Sequence, residues 1–339
     1  MFNKLTNKSK GTLLAFTGVM IITPDTLIIR MVTVDTWDLL FYRSLLPGST
    51  LLIGYFILFH YRAMNDFRAI GQPGIVNALF ILGSNITFIL ALANTNVANA
   101  LVMISLVPLI ASIFSFIFLN EKPELITWIC SLLCMIAVIF IFYESLSLNQ
   151  YLGDFYGVIC ASFVAASLTI MRNNSHINFV PSYILGKLMT AFVSLFFVSS
   201  FILGELDLFF ISLMILTVGV SFVFISLAPQ YISSPEIGIF FLSSFALGTS
   251  DLFLISLMIF TVGVSFVFIS LAPQYISSPE IGIFFLLETA IGPIWVWYFI
   301  SESPSLNTLI GGLFIIFVIF LHSYYMIKKV KNDEKLVSN

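Results

Sequence analysis

The chain has 339 residues, of which 59% are hydrophobic and only 9% charged, with a formal net charge of −3 and a mean hydropathy of +1.07. So much apolar sequence carrying so little charge excludes an ordinary soluble domain and indicates an all-α polytopic membrane protein. The apolar runs are continuous, without the alternation of a β-barrel, and long enough for a hydrocarbon core that takes about 20 helical residues to cross.

The pattern predicts spans at 11–31, 39–59, 73–93, 97–119, 124–143, 154–172, 180–203 and 208–230. A short apolar piece at 236–248 follows, then spans at 252–274, 279–300 and 305–326. Lys4, Lys8 and Lys10 precede the first span, which is too long for a signal peptide and reads as a retained helix.

Ionisable groups inside spans are costly and are functional candidates by default. In the first span Asp25 follows Pro24, whose ring removes a backbone hydrogen bond and kinks the helix. A carboxylate at such a break suits a proton or a cationic group; capping the kink is the plainer role. Arg30, near the outer end, is expected to snorkel to the interface. Arg43, in FYRSLLPG of the second span, is placed to pair with Asp25 or Asp38 or to bind an anionic substrate. Asn85 and Asn99 lie in the third and fourth spans, where inter-helix hydrogen bonding is the plain alternative to substrate contact. Cys130, Cys134 and Cys160 read as small buried apolar residues. Lys187 is about seven residues into the seventh span. It suits a substrate carboxylate or phosphate, or a coupling proton, with an interior ion pair as the alternative.

A block of 44 residues then occurs twice in tandem. Residues 199–242 and 243–286 match at 39 of 44 positions, the five differences including Ile202/Ala246, Phe210/Leu254 and Leu216/Phe260. It reads as a recent duplication or an assembly error. Tyr231 and Tyr275 are copies of one another, and only one can occupy the original position. If the short piece at 236–248 crosses as well, the last two helices keep their orientation; a strained crossing is expected.

Charge sets the orientation. Lys4, Lys8, Lys10, Arg62, Arg68, Lys122, Arg172, Lys328, Lys329, Lys331 and Lys335 all fall on one set of alternating loops, 11 of the 14 positive residues. Asp35, Asp38, Glu144, Glu205, Asp207 and Asp251 fall on the other set. The positive-inside rule puts both termini in the cytoplasm, in a plasma (inner) membrane protein with a basic tail at 327–339.

An older repeat lies beneath the duplication. LNEKPELITWICSL at 119–132 aligns without gaps on ISESPSLNTLIGGL at 300–313, matching Glu121 to Glu302 and Pro123 to Pro304. The offset is 181 residues, or 137 without the insert, so each half holds five helices. Five is odd, so the second half enters the membrane inverted, an arrangement used by alternating-access transporters. These Glu-x-Pro pairs, with NTNVANALVMISLVPLIASIFSFIFLNEKP at 94–123 and LLETAIGPIWVWYFISESPSLNTLIGG at 286–312, resemble the EamA family of the drug/metabolite transporter superfamily. The resemblance implies ten core transmembrane helices in two inverted five-helix repeats, at 11–143 and 154–326, and transport of a small metabolite. The chain departs from it in having about two extra helical segments, from the duplication.

Glu288 is a mid-membrane acid on a helix that also carries Gly292, Pro293, Trp295 and Trp297. A carboxyl there suits proton-coupled exchange; a packing hydrogen bond is the alternative. Trp295 is a candidate for lining a pocket, with an aromatic belt or core position as the plainer reading.

No Walker motif, dinucleotide glycine fingerprint or zinc spacing is present, which argues against an ATP-driven pump or a membrane enzyme and leaves no cofactor implied. The expected function is secondary-active transport of small metabolites by alternating access, with proton coupling as a hypothesis. A passive channel of the same fold and a non-functional duplicated product acting as a scaffold are the rivals. The expected partners are a small-molecule metabolite and the lipid bilayer, not nucleic acid; homodimerisation stays open.

Overall fold

The computed structural model describes residues 7–23, 25–31, 35–120, 125–147, 151–199, 269, 272–276 and 278–301, and within 305–325 the positions 305–307, 309–315, 317–318, 321 and 325. Every element among them is helical. The expected spans 208–230 and 236–248, most of 252–274 and the tail at 327–339 lie outside the described residues.

The first span is two helices rather than one: α1 (Asn7–Ile22) and α2 (Asp25–Met31), broken just before Asp25. Pro24 accounts for the break, because its ring cannot donate to the helix ladder. α3 (Thr36–Phe59) follows as a continuous span, with Pro47 inside it. The segment after it, expected to be loop, is a short helix, α4 (Tyr61–Ala69), which turns sharply off α3 at His60, φ 44°. α5 (Gly71–Asn94) returns across the bilayer.

The fourth span is also divided, into α6 (Val97–Ile104) and α7 (Val107–Leu119). Pro108, at the start of α7, lacks the N–H that would bond Ile104 O in a continuous helix. α8 (Leu125–Ser147) and α9 (Tyr151–Asn173) are uninterrupted. α10 (Val180–Leu195) stops short of the expected 203, giving way to a turn at 196–197. The chain there is held against the start of α3: Trp37 stacks on Phe197 at 4.5 Å, and Ser199 N donates to Asp38 at 2.9 Å. A 3-10 turn (Ala272–Gln274) and α11 (Ser278–Ile300) complete the principal elements.

Four of these segments are long and apolar enough to cross a membrane: Thr36–Ile57, Gly71–Asn94, Val97–Leu119 and Tyr151–Asn173. α8, whose apolar stretch is shorter than those four, has sides that divide as a bilayer demands. On α8, Leu125, Ile129, Leu132, Ile136, Ile139 and Tyr143 recur every three or four residues and are exposed, a stripe for lipid. Cys130, Cys134 and Ala137 on the other side pack with Val102, Met103, Ile315 and Val318. The three cysteines are all free and buried.

α5 runs along both α9 and α10, and α10 runs along α3. Small residues permit the close approach, which in membranes rests on van der Waals packing rather than on expelling water. A Cβ on Gly186 of α10 would stand 2.8 Å from Ile81 Cβ of α5, and one on Gly48 of α3 would stand 3.1 Å from Lys187 Cβ of α10. α11 packs on α6, α7, α1 and α2, so it meets the helix breaks of the first and fourth spans.

Candidate functional site

These contacts bring four ionisable side chains from four helices into one buried region. Asp25 is the first residue of α2, freed from the ladder of α1 by the break. Arg43 lies about two turns inside α3, and its Nη2 donates to Asp25 Oδ2 in a fully buried ion pair. The guanidinium also sits over the Phe88 ring, 5.2 Å from its centroid. Asn85 of α5 is the joint of the cluster. Its Oδ1 accepts from Lys187 Nζ of α10 at 2.6 Å and lies 3.4 Å from Arg43 Nη1. Its own Nδ2 donates to Ile81 O one turn back at 2.7 Å, which fixes the amide so that the oxygen faces the two cations.

Lys187 is wholly buried and stands over the Tyr183 ring at 5.7 Å. It feels the charges of both Arg43 and Asp25. Glu288 of α11 is buried and interacts electrostatically with Asp25, Arg43 and Cys160. Asp25, Arg43, Lys187 and Glu288 are therefore one electrostatic unit of two acids and two bases. In a low-dielectric interior such a set stays charged only if its members compensate one another.

Polar capacity remains in this region. Asp25 Oδ1, Thr26 Oγ1, Arg43 Nε and Ser44 Oγ are buried without a hydrogen-bond partner among the described residues. They comprise donors and acceptors of both kinds, beside the break that ends α1. α11 seals one side: Thr289 Oγ1 donates to Leu101 O at 2.9 Å, and a Cβ on Gly292 would meet Leu101 Cδ1 at 2.5 Å and Thr26 Oγ1 at 3.2 Å.

Of the residues singled out from sequence, Asp25, Arg43, Asn85, Lys187 and Glu288 come together here. Asn99 is buried on α6, a helix buried along its whole length. Trp295 does not join the cluster: it is 38% exposed and stacks on Phe299 at 6.1 Å, on the outer side of α11. Arg30 does not simply snorkel, since its Nη2 donates to Thr95 O at 2.8 Å. Thr95 Oγ1 in turn donates to the buried Asp154 Oδ1 at 3.1 Å, tying three segments at one end of the bundle.

Sequence reading missed a second polar node. Asn77 of α5 donates to Ser182 Oγ of α10 at 3.0 Å and accepts from Ser167 Oγ of α9 at 2.7 Å. Ser182 Oγ donates to Gly74 O at 2.7 Å. The only signal was an Asn among small residues near the start of an apolar run. A third contact was also unseen: Tyr55 OH donates to Asp66 Oδ2 at 2.6 Å and accepts from Asn178 Nδ2 at 2.9 Å.

No curated protein matches the chain. One solved crystal structure superposes with a TM-score of 0.60, covering 92% of this chain and 96% of its own at 14% identity, a likeness of fold alone. Residues 9–143 match the model of the EamA-like transporter family. The helices that carry Asp25, Arg43 and Asn85 lie within the stretch that is similar to the EamA-like transporter family, in a chain whose long apolar helices are those of an integral membrane protein.

Proposed function

We propose that the chain is a secondary transporter of a small metabolite, working by alternating access between two inverted five-helix repeats, at 11–143 and 154–326. The carrying observation is the meeting of Arg43, from the first repeat, and Lys187, from the second, on the single oxygen Asn85 Oδ1. A charged site shared between halves is what rocking of one half against the other would open and close. Packing between equivalent helices supports the repeat: α3 lies on α10, α7 on α11, and α8 on the segment containing Ile315 and Val318. With the offset of 181 residues, or 137 ahead of the insert, each of these is a helix against its own counterpart. Related helices meet in this way around a two-fold axis.

In this reading Arg43, Lys187 and Asn85 bind the substrate's polar group, and Asp25 holds Arg43 in place. Glu288 exchanges a proton as the site opens to either side. Asn99 lies on the buried wall beside α11. Both termini face the cytoplasm of a plasma-membrane protein, as the loop charges require. Ten core helices carry the transport cycle, and the duplication adds two further segments.

The test is counterflow in proteoliposomes with pooled labelled metabolites. Saturable exchange is expected, and Glu288→Gln should remove its dependence on a pH gradient while leaving exchange itself. Flux that neither saturates nor shows counterflow would instead identify a passive channel.

A further inference from the structure

We propose that α4 is a membrane-interface helix that binds anionic phospholipid headgroups through Arg62 and Arg68, with Tyr61 and Met64 seated at the headgroup–acyl boundary. This goes beyond transport and requires only that α3 and α5 cross the bilayer.

Topology fixes where α4 lies. Single residues, His60 and Ile70, join it to the spans on either side, so its nine residues stay at the membrane face where α3 leaves and α5 enters. Corners with positive φ flank it, at His60 (44°) and Gly71 (52°). Its inner side is spoken for. Ala63 is buried, and the Phe67 ring lies 5.8 Å from that of Phe56 and 6.1 Å from that of Tyr55. Asp66, the only acid on the helix, accepts the Tyr55 hydroxyl at 2.6 Å. With its acid turned to the protein, α4 presents a cationic outer side.

Tyr61, Met64 and Arg68 are spaced to share one face, and all are exposed, Tyr61 at 93% and Met64 at 49%. Arg62 flanks them and is exposed too, and neither arginine has an ion pair among the described residues. An aromatic ring and a thioether standing clear of a polar helix are unfavourable in water, but suit the interfacial zone. Ile53 and Ile57, on the last turns of α3, are exposed as well, as suits a helix end that meets lipid. A nine-residue helix offers far less than the roughly 800 Å² per partner of a specific protein interface, which favours lipid over a protein partner. A juxtamembrane arginine near an anionic surface strengthens binding by about fivefold.

The experiment is native mass spectrometry of the delipidated full chain, titrated separately with dioleoylphosphatidylglycerol and dioleoylphosphatidylcholine. Wild type should hold its tightest phosphatidylglycerol in preference to phosphatidylcholine. R62Q/R68Q should lose that preference, by about fivefold for each arginine removed. R62K/R68K should keep most of it, which separates lost charge from a damaged fold. Y61S/M64S should weaken both lipids alike. Equal binding of the two lipids by wild type would overturn the proposal. So would a phosphatidylglycerol preference that survives in R62Q/R68Q, which would assign it to other cations of the chain.

Discussion

Arg43 is the residue on which the buried cluster depends most. It neutralises Asp25, shares Asn85 with Lys187 and covers the ring of Phe88. Removing one member of a buried ion pair strands the other, at a cost of about 3–5 kcal/mol. Arg43→Gln and Asp25→Asn should therefore each lower stability by that order in detergent denaturation. The double variant should cost less than the sum of the two, by about 1–3 kcal/mol, as a direct pair requires. Strict additivity would show that the two do not act on one another. Asn77→Leu should cost about 1–3 kcal/mol, because Ser167 and Ser182 both lose their side-chain partner on α5. The sequence made Asp25, Arg43, Lys187 and Glu288 visible, because a charge in an apolar run stands out. It offered no such contrast for Asn77, Ser167 and Ser182. Their partners lie 90 and 105 residues away, and a neutral amide or hydroxyl in a span looks the same whether or not it has one.

At the scale of elements, hydropathy located α3, α5, α8 and α9 within a few residues. It failed where a helix breaks without ceasing to be apolar. The fourth span reads as one run, yet α6 ends at Ile104 and α7 begins at Val107. Pro108 was the available signal for that break, as Pro24 was for the kink expected and found in the first span. α4 was passed over for the opposite reason, being too polar to register as a span and too short for its Ala63–Phe67 spacing to stand out. Helix packing then depends on details that hydropathy does not carry. A Cβ on Gly186 would stand 2.8 Å from Ile81 Cβ and 2.9 Å from Ala78 O, atoms that move only with the backbone of α5. On Gly292 the nearest atom would be Leu101 Cδ1, the end of a flexible side chain. Gly186→Ala should thus lower the unfolding midpoint clearly more than Gly292→Ala, although both glycines are buried. The reverse order would mean that α11, rather than α10, is the less yielding contact.

At the scale of the whole molecule, the tandem block poses the sharpest question, because the bundle engages opposite ends of it. Ser199, the first residue of the first copy, donates to Asp35, just ahead of α3, and to Asp38 in its first turn. At the far end, Ala272, Ile276, Ile281 and Phe285, all in the second copy, belong to the main core, and Gln274 Nε2 donates to Ile177 O at 3.4 Å. Residues 217–242 and 261–286 are identical. Deleting 243–286 therefore supplies the same side chains at every one of these positions, with Tyr231 standing where Tyr275 packs against the core in the full chain. The shortened chain should unfold at a temperature no lower than the full one and should retain exchange activity. A finer test uses the tyrosines. In the full chain, Tyr275→Ala should cost about 1–2 kcal/mol for lost apolar burial, and Tyr231→Ala should cost less. In the shortened chain, Tyr231→Ala should acquire the full cost. If Tyr231→Ala instead proves the costlier change in the full chain, the first copy holds the core position and the second is the passenger. If the shortened chain unfolds at a lower temperature, the additional residues have become part of the fold.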